Sequence, residues 1–345
     1  MIVFFKYILL VFLFSYPILY IVYKWDVPNI SGQKDFYHYQ RMMESPLDFT
    51  VAQAPWVHRQ IPTLVAFAIK KCQVFYSTKI SYSYFKGFKG ENTQINFFSL
   101  ILSNYIAYLL SIGLLLKCLI PERKNPILSF YIVAFSIGYF MVFINVIAPT
   151  AQAYAWLSCA LMIYGILKKN KYFIILSLAI AMFSRETLLI FYTLYFGFEV
   201  VVGYIQNKLI KKEKLFLFFS SAISFLLILF LRTNYATGHE EQLSLDYLSE
   251  TSDKIENIND FFFQVILSQG LLIFLLVTLF QNSRKHFTAL LFSYIIILTI
   301  TILTGIGNNS GRIIGESYLF VLFLSIIKTP TFESILPSKL KTIQI

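Results

Sequence analysis

Charged side chains are scarce in this chain. They make up 14% of its 345 residues, where a water-soluble domain carries about 25%. That shortage excludes a solvated globular surface of ordinary kind. Cysteine is scarcer still: Cys72, Cys118 and Cys159 form no metal-binding spacing. Two of them fall in or beside apolar runs, so all three read as packing residues, and neither a disulfide nor a metal is expected. Tandem repeats, low-complexity tracts and a P-loop pattern are also missing, and nucleotide binding is not supported. What fills the chain instead is hydrophobic residues (57%), many of them aromatic (18%).

Several apolar segments reach the roughly 18–20 residues needed to cross a bilayer. The short alternating segments of a membrane β-barrel are not seen. The expected fold is therefore all-α: a polytopic bundle of transmembrane helices forming one domain over residues 1–345. Ten candidate spans are expected, at 2–23, 96–118, 127–147, 151–167, 172–184, 187–205, 215–232, 261–280, 287–304 and 316–327. The fifth and tenth are short. The first is too long for a signal peptide and has no small-residue cleavage site after it, so it reads as a retained span. Residues 24–95 form a long first loop. Within it, Ile61 to Ile69 is apolar but too short to cross, and is expected to lie in the interface or dip into the protein.

The formal charge of +11 fits an anionic membrane surface better than nucleic acid, because most basic residues fall in short loops between spans. With the N-terminus inside, the inner segments collect fourteen basic residues, among them Lys168, Lys169, Lys171, Lys211, Lys212, Lys214, Arg284 and Lys285. The outer short segments hold four: Arg185, Arg232, Lys254 and Arg312. Cytoplasmic lysine and arginine set orientation in this way. The first loop carries nine basic residues against the trend, but long segments follow the rule poorly. Both termini are expected in the cytoplasm. Asp35, Asp48, His58, Arg59, Arg185, Glu186, Asn308, Arg312 and Glu316 then fall on the outer face, with an acidic loop at 233–260. The usage of Phe, Ile, Lys, Tyr and Asn fits an AT-rich bacterial genome, and so a bacterial cytoplasmic membrane.

Four stretches carry chemistry on that face. In "DFYHY", Asp35 and Tyr39 are one helical turn apart. Asp35 suits a general base at an interface, or equally a helix N-cap; Asp26 and Asp48 compete for the basic role. In "PWVHRQIP", Pro55 and Pro62 are expected to bracket a stiff, irregular segment that aims His58 and Arg59. An arginine fork can bind phosphate at two points, or snorkel to lipid headgroups. In "FSRETLLIF", Arg185 and Glu186 sit between two closely spaced apolar segments. They mark either a tight outer turn or a polar cavity, since mid-bilayer charge costs about 2.5–3.5 kcal/mol. In "GIGNNSGRIIGESY", glycines and asparagines around Arg312 could bring backbone N–H groups to an anion, or form a plain flexible turn. One carboxylate and three arginines on one face fit an anionic, lipid-borne group.

The order of these motifs resembles the GT-C class of integral membrane glycosyltransferases, which use polyprenyl-phosphate-linked sugars. The likeness rests on "DFYHY" after a first span, on "APWVHRQIPTLVA", and on a late outer arginine in "SGRIIGESY". It covers about the first 70 residues best. It implies inverting sugar transfer on the extracytoplasmic face, from a polyprenyl-phosphate-sugar donor to a lipid, glycan or protein acceptor. It implies Asp35 as the base, and Arg59, Arg185 and Arg312 on the donor phosphate. Tyr37, Tyr39, His58, Glu186 and Asn308 would position substrate. No cofactor, metal or nucleic acid is implied. The class often pairs acids at the first position; here Lys34 precedes Asp35, which argues against a metal-dependent version and leaves Asp26 and Asp48 open. A short tail follows Lys328, so the acceptor is expected to be gripped by spans and outer loops. Two other readings are a flippase or transporter for polyprenyl-linked glycans and a polysaccharide polymerase. A flippase should place charges along the middle of several spans, where here Glu199 is the clearest.

Overall fold

The computed structural model describes residues 2–24, 33–52, 58–72, 93–119, 132–134, 136, 151–207, 211–235, 270–303 and 314–328. Among these residues every regular element is a helix. In chain order they are α1 (Ile2–Lys24), α2 (Gln33–Glu44), α3 (Gln60–Cys72), α4 (Thr93–Leu119), α5 (Gln152–Leu167), α6 (Lys171–Met182), α7 (Thr187–Asn207), α8 (Lys212–Tyr235), α9 (Gly270–Asn282), α10 (Arg284–Leu303) and α11 (Tyr318–Lys328).

Among the described residues, three stretches are long and apolar enough to cross a membrane: Ile95–Leu119 in α4, Thr187–Ile205 in α7 and Lys212–Leu231 in α8. The surface matches that composition. Ile223, Leu226 and Phe230 project outward from α8, Val201 and Ile205 from α7, and Phe5, Leu9 and Leu13 from α1. Water penalises apolar surface of this extent, and lipid does not. The chain is a helical, membrane-associated protein.

α2 and α3 lie within the first loop, and neither is long enough to cross. On α2, Phe36, Tyr39, Met42 and Met43 are buried while Tyr37, Arg41 and Glu44 are exposed. That is one helical stripe. The stripe packs on α3 and α4, where Phe36 meets Phe97 edge-on at 5.3 Å and Asn96 donates to Glu44 at 3.4 Å. α3 shows why its apolar run is short. It buries Gln60, Pro62, Thr63 and Ala66, and Ser103 of α4 donates to the Pro62 carbonyl at 3.1 Å. The segment expected to be irregular up to Pro62 is already helical from Gln60. Proline is tolerated in a first helical turn, where its missing N–H would have no helical partner.

Small residues draw the helices together, as in membrane bundles generally. Ser158 of α5 and Ser177 of α6 each donate to the other's carbonyl, at 2.9 and 2.7 Å. Gly165 lets α5 close on α6: a Cβ there would lie 2.7 Å from Ile174 Cγ1. The tight α5–α6 turn ends α5 with Lys169 in the left-handed region (φ 52°). Asn170 N–H donates to Gly165 O at 2.9 Å and Lys169 N–H to Ile166 O at 3.2 Å, the paired bonds of a Schellman ending. Asn170 then caps α6 by accepting from Tyr172 N–H at 3.0 Å. Aromatic rings line the interior. Tyr105, Tyr108, Trp156 and Tyr318 follow one another in ring contact across α4, α5 and α11.

Four expectations fall largely or wholly outside the described residues: the third span, the acidic outer loop beyond α8, the first half of the eighth span, and the glycine-rich stretch before Ile314. The fifth expected span ends earlier than read, because α6 stops at Met182 and residues 183–186 form a turn.

Candidate active site

The turn between α6 and α7 is the centre of the site. Arg185 N–H closes α6 on Ala181 O at 2.7 Å, and Arg185 O and Glu186 O accept from Leu188 and Leu189 to start α7. This places two adjacent, oppositely charged side chains at a helix N-terminus. Both are buried. Burying charge inside an apolar bundle is costly unless each charge is paired.

Each has its partner in a different part of the chain. Glu186 Oε1 lies 3.2 Å from Arg59 Nη2, and Arg59 Nη1 donates to the Tyr39 hydroxyl at 3.3 Å. On the other side, Arg185 Nε lies 2.8 Å from Glu316 Oε1. The Thr187 hydroxyl donates to the second oxygen of Glu316. The result is a line of polar groups, Tyr39–Arg59–Glu186 and Arg185–Glu316–Thr187, joined through one peptide bond. Its formal charge is zero. Both carboxylates sit just before or at the start of a helix, α7 for Glu186 and α11 for Glu316, where the helix dipole favours an anion.

The surrounding backbone fixes this line in place. Ile61 N–H at the start of α3 donates to Phe183 O at 3.2 Å, clamping α3 onto the α6–α7 turn. Trp156 Nε1 donates to Gly315 O at 3.1 Å and Cys159 Sγ reaches Glu316 O at 3.5 Å, so α5 holds the turn that presents Glu316. His58 is buried beside Arg59, its ring 6.3 Å from that of Phe49.

Arg59, Arg185, Glu186 and Tyr39 come together, with His58 next to Arg59 in the chain. Tyr37 does not join them. It is exposed on the outer side of α2, with the Arg41 guanidinium 5.7 Å from its ring centre. Asp35 falls within the first turn of α2, one helical turn before Tyr39 and past the capping position; its side chain lies outside the described residues. Asn308, Arg312 and Asp26 also lie outside them. Asp48 accepts from Thr50 N–H at 2.8 Å and from the Thr50 hydroxyl at 2.6 Å. The Thr50 hydroxyl and then its N–H hold the Asp48 carboxyl below the usual carboxylate range, so Asp48 serves a local turn.

Two members of the array were not assigned a role from sequence: Glu316 and Thr187. The available signal was a carboxylate in an apolar segment, which demands a buried cation. Among the described residues, no group of three or more His, Cys, Asp or Glu side chains could hold a metal ion. No protein-family model matches the chain, and neither a curated protein nor a solved structure does.

Proposed function

We propose that this chain is a ten-span membrane glycosyltransferase of the GT-C kind, with its N-terminus inside and its active face extracytoplasmic. It moves a sugar from a polyprenyl-phosphate donor to a lipid, glycan or protein acceptor, with inversion. The observation that carries this reading is that two buried arginines from segments far apart in sequence are held by carboxylates linked through one turn: Arg59, which also donates to Tyr39 of α2, by Glu186, and Arg185 by Glu316. A phosphate leaving group needs fixed cationic donors as its charge grows. Guanidinium groups already held by carboxylates are such donors, because little reorganisation remains to be done at the moment of reaction.

The depth of the array supports the same reading. In this orientation Lys168, Lys169 and Lys171 mark the inner interface. α6 has 12 residues and rises about 18 Å, against a hydrocarbon core of about 30 Å. With α6 upright in that proposed orientation, the array would lie on the outer side of the bilayer midplane, and a lipid-borne phosphate would have to reach it from the outer surface. In this scheme Asp35 takes the proton from an acceptor hydroxyl, the resulting oxygen attacks the anomeric carbon, and the phosphate leaves toward Arg59, Arg185 and Arg312.

The neutral pairing of the array also fits a second reading, a carrier or flippase for polyprenyl-linked glycans, because ionisable residues on such a path within a membrane are kept paired. One experiment separates them. The full chain in proteoliposomes is given a panel of polyprenyl-phosphate sugars together with lipid, glycan and peptide acceptors, and both released polyprenyl phosphate and donor movement between leaflets are measured. The enzyme reading expects release that falls about 10²–10⁴-fold in Asp35→Asn. Donor movement without release, indifferent to Asp35→Asn, overturns it in favour of the carrier.

A further inference from the structure

A second polar cluster lies on α7 thirteen positions beyond Glu186, about 20 Å along the helix. Its centre is Glu199, whose side chain is only 5% exposed. One oxygen of Glu199 meets the Lys214 ammonium of α8 and lies 3.7 Å from Lys285 Nζ of α10. The other oxygen is 3.6 Å from His286 Nδ1. That imidazole nitrogen is also 2.8 Å from the Tyr195 hydroxyl. One carboxylate is thus shared by two ammonium groups, and the cluster holds excess positive charge before the imidazole is counted.

The excess faces outward. The lysine side chains are 26% and 29% exposed, while the carboxylate beneath them is almost closed off. Burial and the neighbouring Lys214 push the Lys285 ammonium below its ordinary value, although Glu199 opposes them. An oxyanion between the two lysines would relieve that crowding. α8 and α10 both begin here, so two helix N-termini add positive potential to the same spot. The cluster sits at the ends of two stretches apolar enough to cross a membrane, Thr187–Ile205 in α7 and Lys212–Leu231 in α8, which expose Val201 and Ile205 and Phe219 and Ile223 to their surroundings. A cationic seat with apolar flanks fits an amphiphile rather than a free ion. In the orientation proposed above this end lies at the cytoplasmic leaflet, where anionic lipids gather at basic residues.

We propose that Glu199, Lys214, Lys285 and His286 form a seat for the phosphate headgroup of an anionic phospholipid in the inner leaflet. Lys214 and Lys285 bind the phosphate oxygens. Glu199 offsets part of the charge of the two lysines when the seat is empty. The site is independent of sugar transfer, and failure of the transfer assay leaves it untouched.

The test uses the full chain in neutral detergent, titrated with dioleoylphosphatidylglycerol, dioleoylphosphatidylcholine or inorganic phosphate, with bound lipid counted by native mass spectrometry. Phosphatidylglycerol should bind at least about fivefold more tightly than phosphatidylcholine, the effect expected of one lysine near a lipid phosphate. Lys285→Gln, which keeps the Glu199–Lys214 pair, should remove about that factor, and Lys285→Arg should preserve it. Glu199→Gln should tighten phosphatidylglycerol binding, a gain that a purely structural carboxylate would not produce. Equal binding of the two lipids overturns the proposal. So does unchanged lipid preference in Lys285→Gln, or inorganic phosphate displacing the lipid at equal concentration. If Lys285→Gln does not fold, the wild-type lipid comparison and Lys285→Arg decide: loss of preference in the arginine variant also overturns it.

Discussion

Arg185 and Glu186 are neighbours in the chain that reach in opposite directions, Arg185 to Glu316 at 2.8 Å and Glu186 to Arg59 at 3.2 Å. Through this one dipeptide, the turn before α7 is tied to the start of α3 on one side and to the turn before α11 on the other. These are the parts of the chain from which the proposed site is built.

That arrangement predicts a lopsided mutational response. Glu186→Ala leaves the Arg59 charge buried without its carboxylate and should cost about 3–5 kcal/mol of stability. Arg59→Met combined with Glu186→Leu removes both charges and should recover most of that loss. Unfolding in mixed detergent micelles measures both. A double variant as unstable as Glu186→Ala would show that the pair's value lies elsewhere, in its hydrogen bond to Tyr39 for example.

Orientation can be read from a native residue. Cys72 is exposed at the end of α3, whereas Cys118 and Cys159 are buried. With the first loop outside, an impermeant maleimide added to intact cells should label the wild-type chain, and Cys72→Ser should abolish the label. Labelling only after the membrane is permeabilised would place the first loop in the cytoplasm and invert the topology.

The α5–α6 turn should respond in opposite ways to two small changes. Lys169 occupies a left-handed conformation that glycine adopts without penalty, so Lys169→Gly should stabilise the turn by about 1 kcal/mol. Gly165→Ala places a Cβ 2.7 Å from Ile174 Cγ1 and 3.0 Å from Ile174 N. It should destabilise by about 1–3 kcal/mol. Thermal unfolding in detergent orders the variants; a neutral Gly165→Ala would mean that α5 and α6 part more easily than their serine bonds suggest.

Asp48 supplies the pH-dependent prediction. Its carboxyl is held down by Thr50, so the hydrogen bonds hold the turn above the ordinary carboxylate range and are lost as pH falls through the lowered value. A carbon-detected NMR titration should find Asp48 below the usual range and Thr50→Val should raise it. An ordinary value in the wild-type chain refutes the turn assigned here.

The helical, membrane-associated class was legible in the sequence because it follows from long apolar runs. The run Ile61 to Ile69 was too short to cross, and α3 does fold back against α4. Tyr39, Arg59 and Glu186 were grouped in one site by the resemblance, and in the fold Arg59 touches both of the others. What sequence could not supply was the pairing. Arg185 could have met Glu186, Asp48 or Glu316, and only the packing of α5 against residues 314–317 selects Glu316. Proline misled for a physical reason: Pro62 looked like the end of an irregular stretch, yet a first helical turn accepts proline freely. Tyr37 and Tyr39 looked equivalent until the helix of α2 put them on different sides.

Trp156 is fully buried, stacked on Tyr318 at 5.7 Å, and donates to Gly315 O. Its indole thus touches the backbone that presents Glu316. In a variant whose other two tryptophans are replaced, the emission of this residue becomes an optical gauge of the turn before α11, and any ligand that displaces Glu316 from Arg185 would announce itself as a change in colour or lifetime.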